Sequence, residues 1–198
     1  MSPLLGGPGK IVEIDESKFG KRKYNRGHLV EGQWVFGGVE RENGNFFLVP
    51  VERRNRDTLI PIIQEWILPG TTIISDCWAP YNILDQLDYH HLTVNHSNNF
   101  VDPVTGACTN TIEGLWRHAK HRVPQYRRVK SFFLGYLARF MFITRCRRQN
   151  LDPTVEFLKA AGSLYNVNSP PDNIPEESPL RPPRPPPDDH YDDDDDGN

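Results

Sequence analysis

Cysteine is scarce in this chain. Three of them, Cys77, Cys108 and Cys146, are too few and of the wrong parity for a disulfide framework. None stands at metal-ligand spacing from another, so they read as free thiols in a reducing compartment. Long apolar runs are missing as well. The longest, around Phe132 to Ile143, is broken by Arg139 and falls far short of a membrane span. MSPLLGGPGK has too short an apolar core for a secretory signal. These absences predict a soluble intracellular protein with no membrane partner.

A third absence is local. Between Arg117 and Arg148 there are ten Lys or Arg and no acid, with Tyr126, Phe132, Phe133, Tyr136, Phe140 and Phe142 interleaved. Ordinary helix surfaces mix charge signs, so this stretch reads as a nucleic-acid contact. Arg127, Arg128 and Lys130 are the expected phosphate partners, giving salt-dependent affinity without sequence reading. A second cluster, KFGKRKYNR, puts Lys21, Arg22 and Lys23 just after Asp15. The net charge of −3 hides this, because residues 169–198 carry ten acids against Arg181 and Arg184. That segment also holds nine of the eighteen prolines and ends in a run of aspartates. Such a composition predicts a disordered acidic tail.

The order of elements is legible upstream. Residues 11–16 read as a buried β-branched strand. QWVFGGVER and NFFLVPV flank Asn43–Gly44, a strong hairpin signal, so three strands form an antiparallel meander. Asp57 or Thr58 caps a helix through about Ile67, with Pro61 tolerated near its first turn. Pro69–Gly70 stops it, TTIIS follows as a fourth strand, and residues 92–94 offer a fifth. A helix between the third and fourth strands makes the fourth a parallel neighbour of the first. Ligands collect at the carboxyl ends of such strands. A mixed five-stranded α/β sheet flanked by helices is the expected fold. Its limits divide the chain into a short extension (1–10), a core domain (11–148), a helical extension (149–168) and the tail (169–198).

Three acids then stand out. Asp15 ends the run IVEID, Asp76 ends TTIISD, and Glu113 opens the helical TNTIEGLWRHAKH. A buried carboxylate is costly unless its charge is used. Two strand-end acids and one on a helix suit hard divalent cations, which take oxygen ligands. Strand alternation puts Glu13 and Asp15 on one face and Glu16 on the other. Asn110, one turn before Glu113, either supplies an oxygen ligand or caps the helix, as Thr109 also could. A carboxylate neutralises metal charge and an amide does not, which favours Glu113. Lys120 follows by seven residues, rotated only about 20° and roughly 10 Å along the axis, a reach that suits a neighbouring phosphate. Trp116 reads either as core or as a base-stacking surface. His96 either orients water, contacts the DNA backbone or lies on the surface; it is not read as a zinc ligand.

The triad, with Lys120 behind it, resembles the signature of the DDE transposases. The ordered words VEIDESKFGKRKYNRG, WVFGGVERENGNFFLVPV, TIISDCWAPYN, VNHSNNFVDPVTG and TNTIEGLWRHAK are similar to those of the Merlin superfamily and of the related bacterial insertion-sequence transposases, over roughly residues 10 to 148. The resemblance implies a ribonuclease H-like fold, two Mg²⁺ or Mn²⁺ ions on Asp15, Asp76 and Glu113, DNA as partner, and an oligomer on that DNA. It implies strand cleavage followed by strand transfer. The first strand begins so near Met1 that no DNA-binding domain is expected before it. The rivals are a domesticated or truncated, non-catalytic DNA- or protein-binding module, and a structure-specific nuclease on the same fold.

Overall fold

The structure, a computed structural model, describes residues 4–20, 32–94, 106–123 and 132–164. Strands β1 (Leu5–Gly6), β2 (Ile11–Phe19), β3 (Gln33–Glu40) and β4 (Phe46–Val51) come first. Helix α1 (Arg56–Trp66), β5 (Ile67–Leu68), β6 (Thr72–Asp76), a 3-10 helix (Ala79–Gln86) and β7 (His90–Val94) follow. Helices α2 (Asn110–Arg122), α3 (Phe133–Arg148) and α4 (Pro153–Leu164) complete the described chain.

The main sheet has the order β4-β3-β2-β6-β7. The meander β2-β3-β4 is antiparallel, whereas β6 and β7 add in parallel. This is the mixed sheet of a ribonuclease H-like fold. The β3–β4 turn closes through Glu40 N to Asn45 O at 2.8 Å, with Gly44 at a φ of 67° that suits glycine. Pro50 lies in β4, an edge strand, where its missing N–H disturbs no central ladder.

Alternation in β2 splits the sheet between two cores. Val12 and Ile14 join Phe36, Phe47, Ile63, Ile73 and Tyr81 under α1 and the 3-10 helix. Phe19 joins Val35, Leu48, Ile112, Leu115, Trp116 and Leu137 under α2 and α3. The sheet is therefore covered on both faces. Helix α4 packs on α3 and buries none of its own residues.

Several local expectations are corrected. The cap of α1 is Asn55, whose side chain accepts from Thr58 N at 3.1 Å, rather than Asp57 or Thr58. Starting earlier lets Leu59, Ile60 and Ile63 reach the core and leaves Pro61 inside the helix, on its exposed side. Trp66 ends that helix before Pro69–Gly70, and Ile67–Leu68 pairs with Leu5–Gly6 in a two-stranded parallel sheet that no periodicity announces. Strand β2 runs three residues past the expected end, to Phe19. Among the described residues, no helix is long and apolar enough to cross a membrane.

Candidate active site

Strand β2 passes between β3 and β6, but its two partners leave it at different points. Pairing with β3 continues to Phe19, while parallel pairing with β6 stops at Glu13–Ile74. Carried two residues further, that register sets Asp15 opposite Asp76, the last residue of β6. The two carboxylates thus flank the notch where parallel strands part, the usual place for ligands in such sheets. Asp15 lies inside β2 rather than at its end; what ends there is its neighbour.

Alternation directs Glu13 and Asp15 to the α2 face, as the sequence predicts. Trp116 of α2 lies 5% exposed and donates its indole N–H to Asp15 Oδ2 at 2.9 Å. It is a core residue with one polar task. The ring fits because Gly37, directly opposite Asp15 on β3, has no side chain. A Cβ there would come within 2.8 Å of both the Trp116 ring and Leu48. Asp76 Oδ1 accepts from Trp78 N at 3.1 Å, which folds the chain back over the strand end.

Charge couples the three acids. Burial pushes the Asp15 carboxyl up to about 6; its hydrogen bonds from the Glu16 backbone and Trp116 oppose this, while the negative charges of Asp76 and Glu113 reinforce it. A carboxyl raised by burial and by neighbouring negative charge is the condition a divalent cation relieves, and all three acids offer hard oxygen donors. The donor set therefore fits Mg²⁺ or Mn²⁺. Among the described residues, no three His, Cys, Asp or Glu side chains are already gathered as a formed metal cluster.

Glu113 is exposed, in the first turn of α2, with Thr109 Oγ1 3.4 Å from its Oε1. Thr109, rather than Asn110, is the cap residue; Asn110 is the first, exposed residue of the helix. The main acceptor for the helix start comes from elsewhere. Glu13, fully buried, accepts from Ile112 N at 2.9 Å, from Thr111 Oγ1 at 2.8 Å and from Arg41 Nε at 2.6 Å. An anion at a helix N-terminus is stabilised by the unpaired amides and the helix dipole. Arg41 also donates to the Cys108 carbonyl at 2.6 Å, tying the segment before α2 to the β3–β4 turn. Glu13 thus fixes the helix that carries Glu113 against the strand that carries Asp15. The sequence had placed it only as a face-mate of Asp15; its position two residues upstream was the available signal.

On the opposite face, Glu16 accepts a hydrogen bond from the fully buried Tyr81 hydroxyl. Burial pushes the Glu16 carboxyl up to about 7, countered by Tyr81, raised further by Asp15 and Asp76, and lowered by Arg54. Burial and the Glu16 charge hold the Tyr81 phenol well above its usual range. Lys120 projects from the exposed side of α2 with its Nζ 5.8 Å from the Phe19 ring centre. His96, Lys21, Arg22, Lys23, Arg127, Arg128 and Lys130, and the tail from residue 169 onward, lie outside the described residues.

An uncharacterised transposase-like protein of Haemophilus influenzae is 30% identical over 92 residues, which span 46% of this chain and 73% of the relative. Among solved structures, the catalytic core of BIV integrase matches 79% of this chain and 98% of its own, at 13% identity and a TM-score of 0.48. The HTLV-2 integrase catalytic core in complex with magnesium, in its trimeric form, matches 60% of this chain and 72% of its own, at 14% identity and a TM-score of 0.40. The ISXO2-like transposase domain matches residues 4–144. Since that match spans most of the chain and every element from β1 into α3, the chain belongs to the ISXO2-like transposase family.

Proposed function

We propose that this chain is a DDE-type DNA transposase that cuts a strand at an element's end and joins the freed 3′ hydroxyl to target DNA. The observation that carries the reading is the notch between β2 and β6. It sets Asp15 opposite Asp76, with Glu113 coupled to Asp15 through its charge, in a chain of a transposase family. Asp15, Asp76 and Glu113 would hold two divalent ions, Mg²⁺ or Mn²⁺, which activate the attacking oxygen and stabilise the leaving one in such sites.

The protein's own part is positioning and charge, as both steps are in-line displacements at phosphorus. Trp116 orients the Asp15 carboxylate, and Glu13 anchors the start of α2, the helix that carries Glu113. Lys120, two turns along α2, steadies a phosphate beside the scissile one. Arg127, Arg128, Lys130 and the Lys21–Arg22–Lys23 cluster grip the backbone without reading sequence. Asn110 and His96 would serve as auxiliary contacts. The chain acts on DNA as a homo-oligomer, inside the cell, and in the nucleus if its host is eukaryotic; Merlin-type elements are the eukaryotic relatives this reading allows.

The test incubates a labelled oligonucleotide bearing a pre-cut end with Mn²⁺ and either wild-type, Asp76→Asn or Glu113→Gln protein. Metal-dependent nicking or strand transfer by the wild type alone supports the assignment. Equal product from Glu113→Gln removes Glu113 as a ligand. Binding without product from any of them favours a domesticated DNA-binding module.

A further inference from the structure

Two of the four tryptophans stand at the carboxyl end of the sheet, on the face away from α2. Trp34 opens β3 directly opposite Lys18 of β2, and Trp78 follows Asp76 by two residues. Both are only half-buried. Arg54, exposed between β4 and α1, bridges them: its guanidinium lies 5.1 Å from the Trp34 ring centre and 4.7 Å from that of Trp78. Lys18 Nζ lies 5.6 Å from Trp34. Beneath them the cluster rests on the core, with Trp78 edge-on to Tyr81 at 5.4 Å. Arg53 and Arg56, both exposed, add charge on the same connection.

Residues from four separate segments thus build an alternation of cations and partly open aromatic rings. A surface ion-pair network would need no tryptophans, and an apolar docking patch would not carry four cations. Cations lying over half-buried rings match one ligand chemistry closely: phosphates draw the cations aside, and unstacked bases are laid on the rings they uncover. In a duplex, base faces are hidden by their neighbours, so only an unpaired strand can use the rings.

We propose that Lys18, Trp34, Arg54 and Trp78 form a binding platform for an unpaired DNA strand adjoining the scissile end. The proposal rests on the transposase reading above and names where the non-reacting single strand goes. Trp78 makes the connection, because its backbone N–H holds Asp76 while its ring belongs to the platform. A strand laid over Trp34 and Trp78 passes the sheet's carboxyl edge within two residues of the acid notch. Frayed or overhanging ends therefore bind better than blunt duplex ends.

The test measures full-length protein without divalent metal, by fluorescence anisotropy, against three labelled probes: an oligo(dT) strand, a blunt duplex, and the duplex with an unpaired overhang. Trp34→Ala and Arg54→Gln are expected to weaken the single strand and the overhang about 5- to 100-fold, the range for losing base stacking, and the blunt duplex less than twofold. Trp34→Phe, which keeps a stackable ring, restores most of the loss. Circular dichroism melting verifies that each variant is folded. Equal losses on all three probes, or no loss on the single strand, overturns the platform. Wild-type nicking with unaltered strand binding by Trp34→Ala defeats the platform and spares the transposase reading. Strand binding that needs Trp34, without nicking, does the reverse.

Discussion

Glu13 offers the sharpest energetic test. Its carboxylate is fully buried and accepts three hydrogen bonds, from Arg41 Nε, Thr111 Oγ1 and Ile112 N. Glu13→Ala leaves all three donors without that acceptor. Ile112 N–H is buried, so losing its partner costs about 1–3 kcal/mol by itself. Breaking a fully buried ion pair costs about 3–5 kcal/mol, but the Arg41 side chain keeps 25% exposure and a second bond to Cys108 O. The lower end, about 3 kcal/mol, is therefore expected. Glu13→Gln keeps the volume and one acceptor but aims an amide N–H₂ at donors, so about half that loss should follow. Urea unfolding followed by far-ultraviolet circular dichroism measures both. A loss below about 1 kcal/mol for Glu13→Ala, with an unchanged m-value, would refute the anchor and mean that the apolar face of α2 suffices to dock it. Glu13→Gln should also weaken any Mn²⁺-induced stabilisation at temperatures where it remains folded, because the start of α2, which carries Glu113, loses its anchor on β2.

Millimolar Mn²⁺ or Mg²⁺ is expected to raise the melting temperature by mass action, and Asp76→Asn to abolish that shift; equal shifts in both proteins would remove Asp76 from the ligand set. Asp15 and Glu16 have carboxyls raised to about 6 and about 7, above their unfolded values, so protonation favours the folded state. Their stabilising effect is complete below about pH 4 and lost as pH rises through 6 to 7, so metal-free protein should gain stability from pH 8 down to 5 in these two terms. Glu16→Gln should flatten the upper part of that slope, and an unchanged slope would show that Glu16 does not titrate there. Deleting residues 169–198 should leave the melting temperature unchanged and strengthen nonspecific DNA binding at low salt, since ten acids compete with phosphates. Unchanged affinity would exclude that competition.

Much of the frame is written locally. Strand alternation around Asp15, the Asn43–Gly44 turn and the TTIISD strand end each depend on neighbours a few residues away, and each predicts its element. What stays hidden is nonlocal. Asn55, Asp57 and Thr58 are all acceptable caps, and the choice falls to whichever start buries Leu59, Ile60 and Ile63. Glu13 looks like one of three scattered acids until Arg41 and the start of α2 close around it. The Lys18–Trp34–Arg54–Trp78 cluster draws on four segments, so no window of sequence contains it. Trp116 is the intermediate case: the sequence offers it as core or as a base-stacking surface, and its bond to Asp15 depends on which strand lies beneath it.

Gly37 gives that bond a historical consequence. Asp15, Gly37 and Trp116 lie on β2, β3 and α2, and a single methyl group at position 37 would strike the ring that steadies the acid. A larger residue at 37 would displace the ring, and a displaced ring would no longer donate to Asp15. In an element still mobilising itself, selection acts on them as one character, so they should persist or be replaced together. In a copy that has fallen silent, or been kept for binding alone, they become three unrelated sites that mutate at their own pace. On the transposase reading, a lineage comparison at these positions would then tell a mobile copy from one kept for binding alone.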